Sequence, residues 1–598
     1  MTQRCSAGGA AACGRGLKGS LTMLHAAVVF LLLASGANAV EVPSGGVRWG
    51  FDGKLVAGRT GILSVQLVNR DKDAFDGEVA LVRSSVGGYA GAPEVQSVFV
   101  SPGAVRWVQF YPCVEEDGES WELRLGGQRV RLPPCKVGPP ATVVLSAPEE
   151  RGLRASGLPL FDEGLFPVSV CATDGLWAVV LDHAPRWEPS RRAAFMDWLR
   201  RGGTVHLLHD AQGGYPVFSG PMDVLNRPGE SFHVGAGLVV RHPVTRRGLD
   251  GDALAAGGLA EREDGTRYYG SVGGIDRSIF QRLASFTIPR HKWWLIIPLL
   301  LVYIVAVGPL NLILARRVKD YRHALVCLVG TVALFGAVLS LIGRRGFGEA
   351  AGTHSLTYAR AIEPGRYDVT QWASAFATSS GSYEITYDSP HDIFSIPSWG
   401  DPLEGAVRNG ADGRLQMRMP LFSSRAYVYR GKLSGPRLSA RVVRMVRGQG
   451  LEELEIDMGD EFPGDPINIY ALYRDKVYTM QAAGGRLRLG AGQEADQFLD
   501  YVDVRDGGGL GIPFDPYYSR PGGLEQGDAR LRDMVRPLMA RAVWAASSDC
   551  EFVDPVRYRK DAIQLFIYAK GPPEFGCVSR RLGQHRGYVL YHIVTWER

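Results

Sequence analysis

Apolar and polar positions alternate at the start of the chain. Leu63-Ser64-Val65-Gln66-Leu67, Trp121-Glu122-Leu123-Arg124-Leu125 and Val130-Arg131-Leu132 each place apolar side chains on one face of a strand. Gly126-Gly127 supplies a two-residue hairpin turn between the last two runs. Short strands at this spacing predict an immunoglobulin-like β-sandwich over residues 40–138. Such a unit binds or spaces, and it holds no catalytic set. From residue 139 the pattern changes. Ala141–Leu145, Trp177–Leu181 and Thr204–Leu208 are continuous apolar runs, as expected of parallel strands covered on both faces. Between the second and third, Pro189 opens a helix whose stripe is Phe195, Trp198 and Leu199, and Gly202-Gly203 closes it. This β-α-β unit predicts an α/β domain over 139–290.

Two later stretches, Trp293 to Leu314 and Ala324 to Ile342, carry no charged residue. A helix needs ~20 residues to cross the hydrocarbon core, so both are read as spans, at 293–314 and 324–343. The connection at 315–323 holds Arg316, Arg317, Lys319 and Arg322, which orients it toward the cytoplasm. Alternation returns at Ser382–Tyr387 and Glu453–Asp457, and core strands are expected at Ala562–Tyr568 and Tyr588–Trp596. Residues 346–598 therefore read as mainly β. One helix is expected near 525–546, with Leu531, Met534, Val535, Leu538 and Met539 on a stripe. The predicted fold class is multidomain α+β: a sandwich, a flavodoxin-like α/β domain, a two-helix transmembrane hairpin and a C-terminal mainly-β domain.

Composition adds direction. The chain has 598 residues, enough for about four domains at ~150 residues each. Its 67 Lys+Arg against 62 Asp+Glu leave a net charge of +5, too thin over this length to imply nucleic acid. The 75 Gly and 35 Pro follow no collagen period and point to many turns. The N-terminus reads as a signal peptide over 1–39. Arg4, Arg15 and Lys18 precede the apolar run Leu21–Ala34, and Ala37-Asn38-Ala39 offers a cleavage site. The alternative is an uncleaved N-terminal span. With an exported N-terminal part, two spans return the chain and place both soluble parts on the outer face. Cys113 with Cys135, and Cys550 with Cys577, are then candidate disulfides.

The segment Leu176–His183, followed by Phe195–His206 and Val234–Val240, resembles class I glutamine amidotransferase-like domains. Specifically, it is similar to those of bacterial membrane-anchored envelope proteins. Val307-Gly308-Pro309-Leu310-Asn311 with Arg316-Arg317 resembles the membrane segment that follows such domains. The resemblance covers roughly residues 140–345. It implies an amidotransferase-like fold and a cytoplasmic-membrane protein with its soluble domains on the periplasmic face. The amidotransferase reaction needs a Cys on a strand-to-helix elbow, with His and Glu in support. The segment after Leu208 is His209-Asp210-Ala211-Gln212, with no Cys, and Cys171 lacks the glycine flanks of an elbow. The expectation is a retained fold without the reaction.

One constellation keeps chemistry open. Asp182 and His183 follow one predicted strand, and His209 and Asp210 follow the next. Ligands of parallel sheets bind at the carboxyl ends of strands, so two imidazoles and two carboxylates there would suit a metal or polar ligand. The plainer reading is four polar loop residues beyond buried strands. Neither span holds an acidic residue, which argues against ion transport. The sequence thus favours a non-enzymatic, membrane-anchored envelope protein that binds or scaffolds a protein partner or an envelope polymer. The alternative is a ligand- or metal-binding sensor or enzyme using the strand-end cluster. No cofactor is expected, and the bilayer is itself a partner.

Overall fold

The structure is a computed structural model. It describes residues 40–84, 91–115, 117–147, 158–249, 276, 279–283, 293–317, 321–346, 351–397, 404–448, 450–474, 476–494, 498, 534–536, 538–539 and 562–596. The signal peptide, Lys319 and Cys550 lie outside these residues. So does the helix expected at 525–546, apart from 534–536 and 538–539.

The central sheet contains β1 (Ala141–Ser146), β2 (Leu160–Asp162), β3 (Leu176–Leu181), β4 (Thr204–His209), β5 (Ser231–Val234) and β6 (Gly237–Thr245), ordered β2-β1-β3-β4-β6-β5. All neighbours are parallel except the β5–β6 hairpin. Helix α1 (Pro189–Arg201) crosses from β3 to β4. It starts on Pro189, whose fixed φ suits a first helical turn, and stops at Gly202, which adopts φ 133°. Its apolar stripe, Phe195, Trp198 and Leu199, is buried against β1, β3 and β4. The same cluster takes in Phe51, Ile62 and Tyr111 from the N-terminal part, and Ile362 and Ile393 from the C-terminal part.

The flanking β regions do not stand apart. A seven-stranded sheet runs from Gln128–Arg131 through Ser120–Leu125, Phe75–Ser84 and Glu94–Val100. It continues into Gly405–Arg408, Arg414–Met419 and Gly381–Ile385. The seam is short: Val407 pairs with Glu94, and the Val407 N–H donates to the Pro93 carbonyl at 2.8 Å. Beside it Arg408 meets Ser97 Oγ at 3.2 Å and the Glu78 carboxylate. An eleven-stranded sheet holds most of the remaining C-terminal strands. Its strand Gly352–Glu363 sends Ala359 to one core and Leu356 and Tyr358 to the other, as the two-residue period of a strand requires. Met534, Val535, Leu538 and Met539 cover the second face, together with Ile279, Phe280 and Leu283 from before the apolar helix.

The expected fold class is therefore corrected. Among the described residues the protein is predominantly β, 49% strand against 20% helix, and its sheets cross the boundaries that a row of domains would need. Patterning shows which face of a strand is apolar but not which distant strand completes its edge, so a shared sheet reads as two separate regions. On the face of the parallel sheet that α1 covers, residues of both flanking β regions complete the core, so that face is not closed by helix alone.

The two-helix hairpin is corrected as well. Among the described residues one helix, Ile296–Arg317, is long and apolar enough to cross a membrane by length and composition. The second apolar stretch, Leu325–Ser340, falls short of that measure. Its helix, Tyr321–Gly346, spends both ends on Arg322, His323, Arg344 and Arg345. The first helix contains a π-helical turn at Ala306–Leu310, where Pro309 supplies no N–H.

Cys135 is buried and Cys577 half-buried, and Cys550, the expected partner of Cys577, lies outside the described residues. The Cys135 thiol donates to the Glu119 carbonyl at 3.5 Å, and Cys577 lies 3.6 Å from Thr353 Oγ1.

Candidate functional site

The strand-end residues fall into two groups that do not meet. Asp182 and His183 follow β3. His183 Nδ1 sits 2.9 Å from Asp182 Oδ1, and Nε2 sits 3.1 Å from Glu163 Oε2. Arg246, just beyond β6, donates to Asp182 Oδ1 at 2.6 Å and to the Leu145 carbonyl at 3.2 Å. Both ring nitrogens of His183 are therefore committed. Burial alone would lower its pKa, but the hydrogen bonds it donates to Asp182 and Glu163 prevail and raise it to about 9. Burial pulls Asp182 up, and His183 and Arg246 more than reverse that and lower it. At neutral pH this is an imidazolium between two carboxylates, which repels a metal cation.

His209 and Asp210 are spent differently. The His209 ring stands edge-on to Tyr215, with centroids 4.5 Å apart. Asp210 Oδ1 accepts the backbone N–H groups of Gln212 at 2.8 Å and Gly214 at 3.1 Å, closing a tight turn. β3 and β4 are neighbours, but their pairing ends at Leu181 and Leu207, and the β4–β6 register shifts between Leu207 and His209. The register that would carry His183 opposite His209 stops before it reaches them. Among the described residues no group of three or more His, Cys, Asp or Glu side chains could hold a metal ion.

Sequence reasoning missed Glu163 and Arg246. Each follows the carboxyl end of a central strand, β2 and β6, so the rule that selected Asp182 would have selected them too. Strand β2 has only three residues, too few to show a period.

A second charged cluster lies where the central sheet meets the eleven-stranded sheet. Arg201 Nη1 contacts Asp174 Oδ1 at 2.9 Å and Asp368 Oδ2 at 2.6 Å. Arg360 Nη2 reaches the same two oxygens at the same distances. Arg430 bridges Asp174 Oδ2 at 2.9 Å and Asp368 Oδ1 at 3.0 Å. All five side chains are buried, with Asp368 at 0% exposure. Burial pushes both aspartates up, but Arg430, Arg360 and Arg201 overcome it and hold both well below the usual carboxylate range. One turn earlier on α1, Asp197 binds Arg366 and Lys432, each at 2.9 Å. Cys171 belongs to this core: its thiol is 3.5 Å from Asp368 Oδ1, and burial pushes its pKa up, the opposite of an activated thiolate.

A third feature is a cleft of about 430 Å³ at the meeting point of three regions. Gln96, Trp107, Gln109 and Tyr111 come from the N-terminal strands. Gly164, Leu165 and Arg191 come from the central domain, and His391 and Asn409–Ala411 from the C-terminal part. The walls are tied together. Gln109 Nε2 donates to the Leu165 carbonyl at 2.7 Å, and Gln96 Nε2 donates to the Gln109 carbonyl. Below Tyr111, the buried Glu94 accepts the Tyr111 backbone N–H at 3.0 Å. Burial raises its pKa to about 7 against the hydrogen bonds from Tyr111, Asn409 and Gln96.

No protein-family model matches the chain, and no curated protein matches it. Among solved structures it is similar to a cycloisomaltooligosaccharide glucanotransferase from Paenibacillus sp., complexed with cycloisomaltoheptaose. That likeness is 9% identical, covers 76% of this chain and 99% of the other, and has a TM-score of 0.16. At that score it carries no argument about fold or activity.

Proposed function

We propose that this protein is a non-enzymatic binding or scaffolding component of a bacterial cell envelope. In this reading the apolar helix Ile296–Arg317 attaches the chain to the cytoplasmic membrane from the periplasmic face, without carrying it across, and the folded body stands on that face. The central sheet is read as a degenerate glutamine amidotransferase-like domain, consistent with a β4 terminus that turns on Asp210 where a nucleophile would stand. The body binds a protein partner or an envelope polymer.

The interlock around the apolar segment carries this reading. Residues before it supply Asp174, Asp197 and Arg201, and residues after it supply Arg360, Arg366, Asp368 and Arg430. Trp596 donates from its indole to the Gly235 carbonyl at 3.1 Å and stacks on His233. Parts so joined belong on one side of a membrane. Meanwhile Ile297 (51%), Leu301 (58%) and Val326 (70%) leave large apolar side chains exposed, a concentration that a water-facing surface avoids.

Reporters fused near residue 250 and at the C-terminus test the placement. Both are expected to report the periplasm, in cells where the protein sediments with membranes. A cytoplasmic signal at either position sinks the reading. Cross-linking in intact membranes then tests the binding role, with a defined partner expected and repeated recovery of the chain alone counting against it.

A further inference from the structure

We propose that the three-way cleft binds a small anionic ligand that also carries hydroxyl groups, the chemistry shared by phosphorylated and carboxylated sugars. The inference does not depend on where the chain is anchored. Charge is the first observation. Arg106 and Arg191 both line the cleft, and among the described residues that line it none is a carboxylate. Arg106 donates to the Phe99 carbonyl at 2.7 Å, and Arg191 to the Phe166 carbonyl at 2.7 Å. A guanidinium has five N–H donors in a fixed fork, so one anchoring bond to a carbonyl sets its position and leaves others for an anion. Glu188 pairs with Arg191 at 3.2 Å from an exposed position, where water weakens its competition.

The second observation is an orphan. His391 lines the cleft, and its Nδ1 is buried without a hydrogen-bond partner. A buried polar atom left unpaired costs about 1–3 kcal/mol, so the wall at His391 is one that a turn of the ring toward a bound ligand would stabilise. The third is the mixture of walls. Trp107 offers an aromatic surface, while Gln96, Gln109 and Asn409 bring amides that both donate and accept, as hydroxyl groups require. The volume, about 430 Å³, falls in the range of small-molecule sites. Because each wall comes from a different part of the chain, the site exists only in the interlocked body.

Calorimetric titration of the full chain in detergent micelles tests the proposal, with glucose 6-phosphate, glucuronate, inorganic phosphate and glucose as probes. Saturable one-to-one binding of glucose 6-phosphate or glucuronate is expected, at least tenfold tighter than glucose and tighter than inorganic phosphate. Comparing the two sugars separates a phosphate source from a carboxylate source. R106Q and R191Q should each weaken that binding tenfold or more. A411W fills the mouth from an exposed position and should abolish it, with the melting temperature unchanged. The idea is overturned if neither sugar anion binds saturably, if glucose or bare phosphate binds as well, or if A411W binds like the parent chain.

Discussion

The molecule holds two clusters of opposite charges that differ in almost everything but residue type. At the strand ends, Glu163, Asp182, His183 and Arg246 meet near the surface, with His183 at 26% exposure. At the junction, Asp174, Asp368, Arg201, Arg360 and Arg430 are all withdrawn from water. The first cluster is held by one domain, and its His183 edge is open to solvent while Glu163 is buried behind it. The second is drawn from both sides of the apolar segment, and none of its members can be released singly. A charge taken out of water must find its full complement, because an uncompensated one costs several kcal/mol. The strand-end cluster should therefore tune stability with pH, and the junction should decide whether the parts stay together.

The sharpest way to break this comparison is Asp368→Ala. It would leave Arg201, Arg360 and Arg430 around Asp174 alone. A loss of about 3–5 kcal/mol is expected, because breaking a buried ion pair strands its partners. The loss should appear in urea unfolding as separate transitions in place of one. A loss below ~1 kcal/mol, with one transition retained, would mean that the apolar contacts hold the body together and the charges are passengers.

Glu94 lies between the two extremes: a buried carboxyl whose partners are the Tyr111 N–H and amides rather than a cation. Its pKa is raised from 4.5 to about 7, so the folded chain binds more protons than the unfolded one across that window. Stability from this group is present below pH ~4.5 and declines as pH rises through 7. Glu94→Gln removes the titration. Relative to the parent chain it should gain up to about 3 kcal/mol between pH 4.5 and 8, read from parallel unfolding curves. Curves that stay parallel across this range would show that the seam admits enough water to keep the carboxylate charged at little cost.

His183→Gln sharpens the other side. The raised pKa of His183 means that its contribution is fully present below about pH 6.5 and fades as pH rises through about 9. The substitution should cost on the order of 2 kcal/mol at pH 6, discounted for the partly exposed ring, and almost nothing at pH 10. A cost that does not change with pH would make His183 a packing residue.

The same contrast explains what could be read from the sequence. The apolar runs at 141–145, 177–181 and 204–208 are strands β1, β3 and β4, because burial on both faces leaves a local trace in composition. The Gly126-Gly127 turn is equally local, joining Leu125 to Gln128 with both glycines at positive φ. Asp182 and His183 could be picked out because they end a strand. The junction could not be. Arg201 meets Asp368 across 167 residues and Arg430 meets Asp174 across 256, and nothing near any of these residues marks it as buried. A lone Arg in a strand reads as a solvated charge until the second sheet is in place. The cleft was hidden for the same reason, since its walls come from three parts of the chain. The seven-stranded sheet was hidden because the edge strand Glu94–Val100 finds its neighbour only at Val407.

The smallest expected effect asks whether the two halves of the strand-end rim are as separate as their hydrogen bonds make them. Asp210→Ala removes the acceptor for the Gln212 and Gly214 N–H groups, but water can reach both. A loss of about 0.5–1 kcal/mol is expected, as for other local side-chain caps on exposed N–H groups. More telling is its effect on His183. If Asp210 and His183 shared a ligand site, deleting the Asp210 carboxylate would lower the His183 pKa by removing a nearby negative charge. The structure gives His183 its anions from Asp182 and Glu163 instead. NMR titration of the imidazole protons should therefore find the same midpoint, near 9, in D210A as in the parent chain. A clear fall in D210A alone would join the two halves of the rim into one electrostatic unit, and with it restore the convergent strand-end site that the register break at Leu207 and His209 argues against.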